Sequence, residues 1–208
     1  MKFRVLLLCI FACLVSGCES FRSYSSYEEY LSKLEYTSPT AKSLGELKID
    51  SLLLNEYVKD ELGSKGQVYQ YIGEGKSFYR AYEIPSSEHK REIEFAAVFS
   101  SVAGIYAHVI YPTFRIYDRN FKLIKKENLE PKFYVGGFKV PRSFIMKTTL
   151  PSNAHYLVVN GDPHFFGKPM QYASTMVSPA QSSIVTNVSQ SQVPIGAGGP
   201  FFIRVSSE

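Results

Sequence analysis

The first apolar residues after position 26 recur with the period of an α-helix. Tyr27, Tyr30, Leu31 and Leu34 stand at positions i, i+3, i+4 and i+7, a spacing that places them on one face of an α-helix. The residues between them are polar or charged, so the predicted helix is short and amphipathic. The pattern would also suit a helix that binds a partner, but docking on the helix's own domain is its commoner use.

From position 44 onward the pattern changes to the two-residue period of β-strands. Ile93, Phe95, Ala97 and Phe99 occupy alternate positions, as in a strand with one face buried. A second alternating run covers residues 114–117, and the turn-forming residues 118–120 separate it from the apolar run 121–124. These two runs predict a β-hairpin.

Short runs rich in aromatic and β-branched residues recur through the rest of the chain. The further predicted strands are 67–72, 77–83, 104–111, 132–135, 143–150, 156–160 and 201–206. No long helical period separates them, which argues against a parallel α/β sheet. We therefore predict one mostly all-β domain over 27–208, an antiparallel β-sandwich or jelly-roll-like fold with a short N-terminal helix.

The segment 172–200 differs from the strands around it. It is rich in Ser, Gln, Thr, Gly and Pro, a composition that does not build a packed core by itself. We predict a long, exposed, polar loop that leads into the last strand. A loop of this length is either functional or a mobile excursion, and the sequence leaves both open.

The first 18 residues have the pattern of a bacterial lipoprotein signal. Lys2 and Arg4 precede an apolar stretch, which ends in small residues before Cys18. The stretch is about half the length that a membrane-spanning helix needs. We predict that 1–17 is removed, that Cys18 is acylated and anchors the chain to the membrane, and that 18–26 is a tether. An ordinary secretory signal is the alternative. By resemblance to the sorting pattern of enteric-type bacteria, Glu19 implies the periplasmic face of the outer membrane.

Cysteine content and net charge restrict the chemistry and the partners that we expect for the processed domain. The other two cysteines, Cys9 and Cys13, leave with the predicted signal, so the processed domain has no disulfide and no thiolate chemistry. The formal net charge of +4 includes Lys2 and Arg4, which also leave. Such a modest charge gives no reason to propose nucleic acid as a partner.

The sequence contains no recognisable catalytic or metal-binding pattern. Gly75-Lys76-Ser77 resembles the end of a phosphate-binding loop, but Gln70 stands where that motif needs glycine. The chain has no Gly-x-Ser-x-Gly motif. The four histidines are not spaced as metal ligands are. Asp162 and His164 are close in sequence, but this alone is weak support for a catalytic acid–base pair. We therefore predict no enzymatic activity, no cofactor and no metal. The histidines are His89, His108, His155 and His164.

Clustered tyrosines are the strongest candidate for a binding surface. Tyr69, Tyr71, Tyr79 and Tyr82 lie in two neighbouring predicted strands. Tyrosine rings stack on sugars and enrich protein interfaces, so these four are a possible ligand or partner surface. The alternative is that they pack in the core and across strands, which is the commoner use of aromatic residues in sheets.

Four segments together resemble the maltose operon periplasmic protein family. They are 44–47 (LGEL), 75–85 (GKSFYRAYEIP), 112–121 (PTFRIYDRNF) and 199–205 (GPFFIRV). The resemblance implies a periplasmic, non-enzymatic, β-rich protein associated with carbohydrate uptake through the outer membrane, here as a lipoprotein-type member. It carries over no catalytic residue.

The sequence thus predicts an outer-membrane lipoprotein that faces the periplasm. It would act as an accessory or binding protein in maltose- or maltodextrin-type uptake, with a glycan or an outer-membrane porin as its partner. One alternative is a structural or assembly factor for an outer-membrane complex or a surface polysaccharide. A second is an enzyme acting on envelope glycans, which would need two carboxylates about 5 to 10 Å apart in a cleft.

Overall fold

The structure is a computed structural model, and it describes residues 26–100, 108–135, 141–180 and 183–207. The predicted signal 1–17, Cys18 and the tether up to residue 25 lie outside the described residues. So does the first part, 104–107, of the strand predicted over 104–111.

One helix and fourteen strands make up the described chain. The helix α1 covers Tyr27–Tyr36. The first seven strands are β1 (Ile49–Ser51), β2 (Val58–Leu62), β3 (Val68–Tyr71), β4 (Gly75–Glu83), β5 (Arg91–Val98), β6 (Val109–Ile110) and β7 (Pro112–Tyr117). The others are β8 (Leu123–Asn128), β9 (Lys132–Tyr134), β10 (Ser143–Thr149), β11 (Tyr156–Gly161), β12 (Pro169–Ala180), β13 (Ser183–Gly196) and β14 (Gly199–Ser207). Short 3-10 turns cover Leu44–Glu46 and Pro163–Phe165.

Two main sheets contain most of these strands. The first has the order β1-β4-β11-β7-β8, with β3 also on β4, and the second has the order β2-β14-β5-β10-β9. Pairing within them is antiparallel except between β1 and β4. The predicted all-β, sandwich-like fold with one short helix is confirmed, and β7 with β8 forms the predicted hairpin.

Aromatic side chains from both sheets meet in the core. Phe95 of β5 contacts Phe114 of β7 edge to face, with ring centroids 5.3 Å apart. Phe95 also stacks on Phe201 of β14 at 4.8 Å. Since β5 and β7 belong to different sheets, the Phe95–Phe114 contact packs the two sheets face to face, while Phe201 lies beside Phe95 in the second sheet.

Helix α1 packs on this sandwich as predicted. Tyr30 and Leu34 are buried, and the Ser26 hydroxyl caps the N terminus by accepting from the Glu29 amide at 3.2 Å. At the other end, the Lys76 ammonium donates to the Glu35 and Thr37 carbonyls at 2.7 and 3.0 Å. A cation at the C terminus of a helix is favourable because the free carbonyls there carry partial negative charge.

The central strand β5 is buried more completely than its alternating pattern predicts. Glu94, on the face expected to be solvated, is only 6 % exposed. Its carboxylate contacts Lys147 and Arg204 and accepts a hydrogen bond from Tyr57. The polar face is therefore covered by a charge network.

The prediction of a long polar loop over 172–200 is wrong. Residues 169–180 and 183–196 form β12 and β13, which pair antiparallel along their length, and β14 begins at Gly199. The strands join the body where Ile195 and Gly196 pair with β6. A polar composition is compatible with this hairpin because the backbone hydrogen bonds between its strands require no apolar side chain.

Candidate binding site between two sheet edges

The four candidate tyrosines do not form an exposed surface. Tyr71, Tyr79 and Tyr82 are 5 %, 2 % and 1 % exposed, while Tyr69 is half-buried. Tyr69 and Tyr71 contact each other edge to face at 4.8 Å, as rings packed in a sheet do. Tyr82, however, is one of the residues that line a cavity, and this cavity gathers several charged groups.

The cavity lies at the side of the sandwich where the edge strand of each sheet comes close to the other. It has a volume of about 480 Å³. Asp50 of β1 pairs in register with Tyr82 of β4 in the first sheet, whereas Asp60 comes from β2 of the second. We call the group formed by Asp50, Asp60, Arg80 and Tyr82 the acid–arginine cluster; Lys65 lines the cavity beside it.

Arg80 is the centre of the cluster, and its side chain is 2 % exposed. Its Nε donates to Asp60 Oδ2 at 2.6 Å, and its Nη2 contacts both Asp60 and Asp50. Its Nη1 donates to the Gln67 side-chain carbonyl. A buried guanidinium is tolerated when carboxylates neutralise it and its donors are satisfied, and both conditions hold here.

Tyr82 and the backbone hold Asp60 in place. The Tyr82 hydroxyl donates to Asp60 Oδ2 at 2.8 Å, and the Glu61 amide donates to Oδ1 at 2.8 Å. Burial, and then the nearby Asp60 charge, raise the pKa of Tyr82. The phenol therefore stays protonated and acts as a donor at neutral pH.

Asp50 is the carboxylate of the cluster that solvent reaches, since its side chain is 36 % exposed. Lys65 Nζ approaches its Oδ2 at 3.4 Å. Partial burial would raise the pKa of Asp50, but Arg80 and then Lys65 outweigh that effect and lower it. The cavity thus presents an ionised carboxylate and an adjacent ammonium, an acceptor and a donor held on β1 and on the turn before β3.

A second, larger groove of about 660 Å³ lies at one end of the sandwich and shares Ser51 with the cavity. Its buried cation, Arg91, is engaged by backbone carbonyls, including those of Pro85 and Ser152, both at 2.9 Å. His155 Nε2 and Glu83 Oε1 are 3.6 Å apart, too far for a good hydrogen bond. Its charged groups do not converge as those of the acid–arginine cluster do.

The other histidines are placed without a metal-binding arrangement. His108 is buried under helix α1, and His164 Nδ1 contacts Asp162 Oδ1 at 3.1 Å. That pair closes a turn, because Asp162 also accepts from the His164 amide at 3.0 Å. Across the ranges that the structure covers, no group of three or more His, Cys, Asp or Glu residues could hold a metal ion.

The sequence patterns did not point to Asp50, Asp60 or Arg80 as site residues. One signal was available: in β4, Arg80 stands between Phe78 and Tyr82 in the alternating pattern, a charged residue at an inward-facing position. Such a residue needs a buried counter-charge. Asp60 could not be chosen as that partner, because it lies in β2, a strand that the pattern did not predict.

No protein-family model and no curated protein sequence matches the chain. The resemblance to the maltose operon periplasmic protein family therefore stays a prediction. Among the helices in the described ranges, none has both the length and the apolar character to cross a membrane.

Proposed function

We propose that this protein is a lipid-anchored, periplasm-facing protein of the outer membrane that binds a carbohydrate. In this role it assists maltose- or maltodextrin-type uptake without catalysing a reaction. The observation that carries the proposal is the solvent-accessible Asp50 carboxylate beside Lys65 in the acid–arginine cavity. The lipoprotein-like sequence around Cys18 and the family resemblance support the location and the pathway.

The chemistry of the cavity suits a ligand rich in hydroxyl groups. Each sugar hydroxyl both donates and accepts, so neighbouring hydroxyls are matched by a carboxylate, which only accepts, and an ammonium, which only donates. Hydrogen bonds to charged groups are the stronger kind. The volume of about 480 Å³ lies within the range of small-ligand pockets. Arg80 and Asp60 keep Asp50 oriented, since Arg80 contacts both carboxylates.

The same pair of carboxylates favours one alternative, an enzyme that cleaves glycans. Asp50 and Asp60 both contact Arg80 Nη2, so they lie within about 5 Å of each other, close to the spacing of retaining glycosidases. A glycosidase also needs a protonated carboxyl as general acid. Arg80 and Lys65 lower the pKa of Asp50 against the effect of burial, and this favours binding over catalysis.

Calorimetry with the full chain in detergent tests the proposal. Titration with maltodextrins should give saturable heat, and Asp50→Asn should weaken the affinity at least about tenfold, because a hydrogen bond to a charged group is lost. Glu130→Gln is the matched control, since Glu130 is exposed and far along the chain, between β8 and β9. Absence of binding by the native chain would refute the proposal.

Two further experiments distinguish the binding role from the enzymatic role and from the structural or assembly role. Release of reducing sugar from maltodextrins, abolished by Asp60→Asn, would replace the binding role with an enzymatic one. Affinity purification from membranes should recover an outer-membrane porin. If the chain bound no glycan and instead recovered outer-membrane assembly proteins, the structural or assembly role would take the place of the uptake role.

A further inference from the structure

The hairpin formed by β12 and β13 extends well beyond the strands that anchor it. Its strands have 12 and 14 residues, whereas the others have nine or fewer. They pair with each other in unbroken register from Pro169 with Pro194 to Ala180 with Ser183. Only Ile195 and Gly196, at the base of β13, pair with the body of the protein. We call residues 169–196 the ribbon.

One edge of the ribbon is unpaired within the described part of the chain. There, β13 is the only strand that pairs with β12. The outer edge of β12 therefore presents backbone N–H and C=O groups over a long distance. A two-stranded hairpin is marginally stable in water, and a third strand on this edge would stabilise it.

The ribbon lacks the charges that normally protect such an edge. From Pro169 to Ile203 the sequence contains no Asp, Glu, Lys, Arg or His, although 20 % of the whole chain is Asp, Glu, Lys or Arg. Natural proteins usually place lysine or other charges on exposed edge strands to prevent pairing with another chain. A neutral strand can also pair with its own copy without like charges facing each other.

We infer that β12 is a dimerisation edge, on which β12 of a second copy of this chain pairs antiparallel. The pairing segment runs from Met170 to Ser178. Pro169 and Pro179 bound this segment, and proline has no N–H to donate to a ladder. A two-fold axis at Ser174 pairs the segment with itself, so that Met170 faces Ser178 of the second copy and the interface is self-complementary.

A matched pair of lysine variants tests this inference. Ser174 and Ser189 face each other in the ribbon, Ser174 on β12 and Ser189 on β13. In the dimer, Ser174→Lys would place two like charges directly opposite, which is destabilising. Ser189→Lys would place the two added charges three strand spacings apart, about 14 Å. This distance exceeds the Debye screening length of about 8 Å at physiological salt, so the repulsion between the two charges would be weak.

The mass of the full chain in detergent is measured by light scattering or native mass spectrometry at micromolar concentration. The native chain and Ser189→Lys should be dimers, and Ser174→Lys should dissociate at least tenfold more readily. A monomeric native chain would overturn the inference. Equal effects of the two variants, or open-ended oligomers, would overturn it as well.

Cysteine cross-linking provides a readout that does not depend on affinity. Facing residues of an antiparallel pair have Cα atoms about 4.5 to 5.5 Å apart, within the range that a disulfide bridges. Under mild oxidation, Ser174→Cys should give a covalent dimer, whereas Ser189→Cys should not exceed the background of the native cysteines. The opposite result would assign the contact to β13 and refute pairing through β12.

Discussion

Arg80 of β4 and Asp60 of β2 join the two sheets of the sandwich beside the cavity, with the Arg80 Nε donating to Asp60 Oδ2 at 2.6 Å. Their side chains are 2 % and 10 % exposed. The pair therefore lies where the core ends and the cavity begins. Both ends of the contact are anchored on strands, so changing it affects the cavity and the fold together.

Removing the charge of Asp60 should destabilise the protein. Asp60→Asn leaves the buried Arg80 with only the partly exposed Asp50 as a counter-charge. We expect a loss of about 2 to 4 kcal/mol in the free energy of unfolding, measured by urea denaturation. Asp50→Asn should cause a smaller loss because Asp50 is 36 % exposed. If Asp60→Asn were as stable as the surface variant Glu130→Gln, the Asp60 charge would not contribute to the stability of the fold.

Acidification should destabilise the protein through His108. The ring is 1 % exposed, its Nε2 contacts the Gly198 carbonyl at 3.1 Å, and its Nδ1 is buried without a partner. Burial lowers the pKa of His108 below its ordinary value, although the Gly198 carbonyl and Glu28 oppose this. As pH falls below about 6.5, the unfolded chain binds a proton that the folded chain excludes, so stability falls.

The measurement is the melting temperature between pH 8 and pH 5, for the native chain and for His108→Asn. The variant is less stable overall but should lose less stability on acidification. Tyr27 and Tyr30 also face His108, with ring centroids 6.4 and 5.5 Å away, and burial raises the pKa of Tyr27 further above this range. Parallel pH profiles for the two proteins would contradict the prediction.

Gly198 should not tolerate a side chain. A Cβ there would lie 2.6 Å from the Leu62 carbonyl oxygen and closer still to the Tyr30 ring. Gly198→Ala should lower the free energy of unfolding by about 1 to 3 kcal/mol and loosen helix α1. Gly45→Ala is the control, because a Cβ at Gly45 meets nothing within 4 Å. Equal stability of the two variants would contradict the close contact of Gly198 with Tyr30.

The lipid anchor predicted from the sequence has a direct test. Cys18→Ser should prevent acylation and move the protein from the outer-membrane fraction to the soluble periplasmic fraction. Cys13→Ser lies in the segment predicted to be removed and should leave the distribution unchanged. If Cys18→Ser still fractionated with the outer membrane, the tether would not be an acyl chain on Cys18.

Local patterns in the sequence predicted much of the fold. The period of Tyr27, Tyr30 and Leu34 located helix α1, and the turn after Tyr117 located the β7–β8 hairpin, because both elements are set by neighbouring residues. The segment 172–200 was misread because its strands are stabilised by backbone pairing, which composition does not reveal. The short strands β1 and β2 also escaped prediction, since they have few residues and depend on distant partners.

The candidate site was predicted less well than the fold. Of the four tyrosines, Tyr82 lines the cavity, and it does so as a buried hydrogen-bond donor. The charged members of the cluster are separated by up to 30 residues along the chain. Their convergence follows from the parallel pairing of β1 with β4 and from the approach of β2, neither of which any local pattern encodes.

The docking of helix α1 determines how the protein responds to a mechanical pull on the residues before Tyr27. Tyr30 donates to the Glu61 carboxylate, and Lys33 donates to the Gly63 carbonyl, so both contacts lead into the end of β2 and the turn after it. A load from that side would break these contacts one after another and peel the helix away. The strands of the sandwich follow the helix in the chain, so they would carry the load only after the helix had detached.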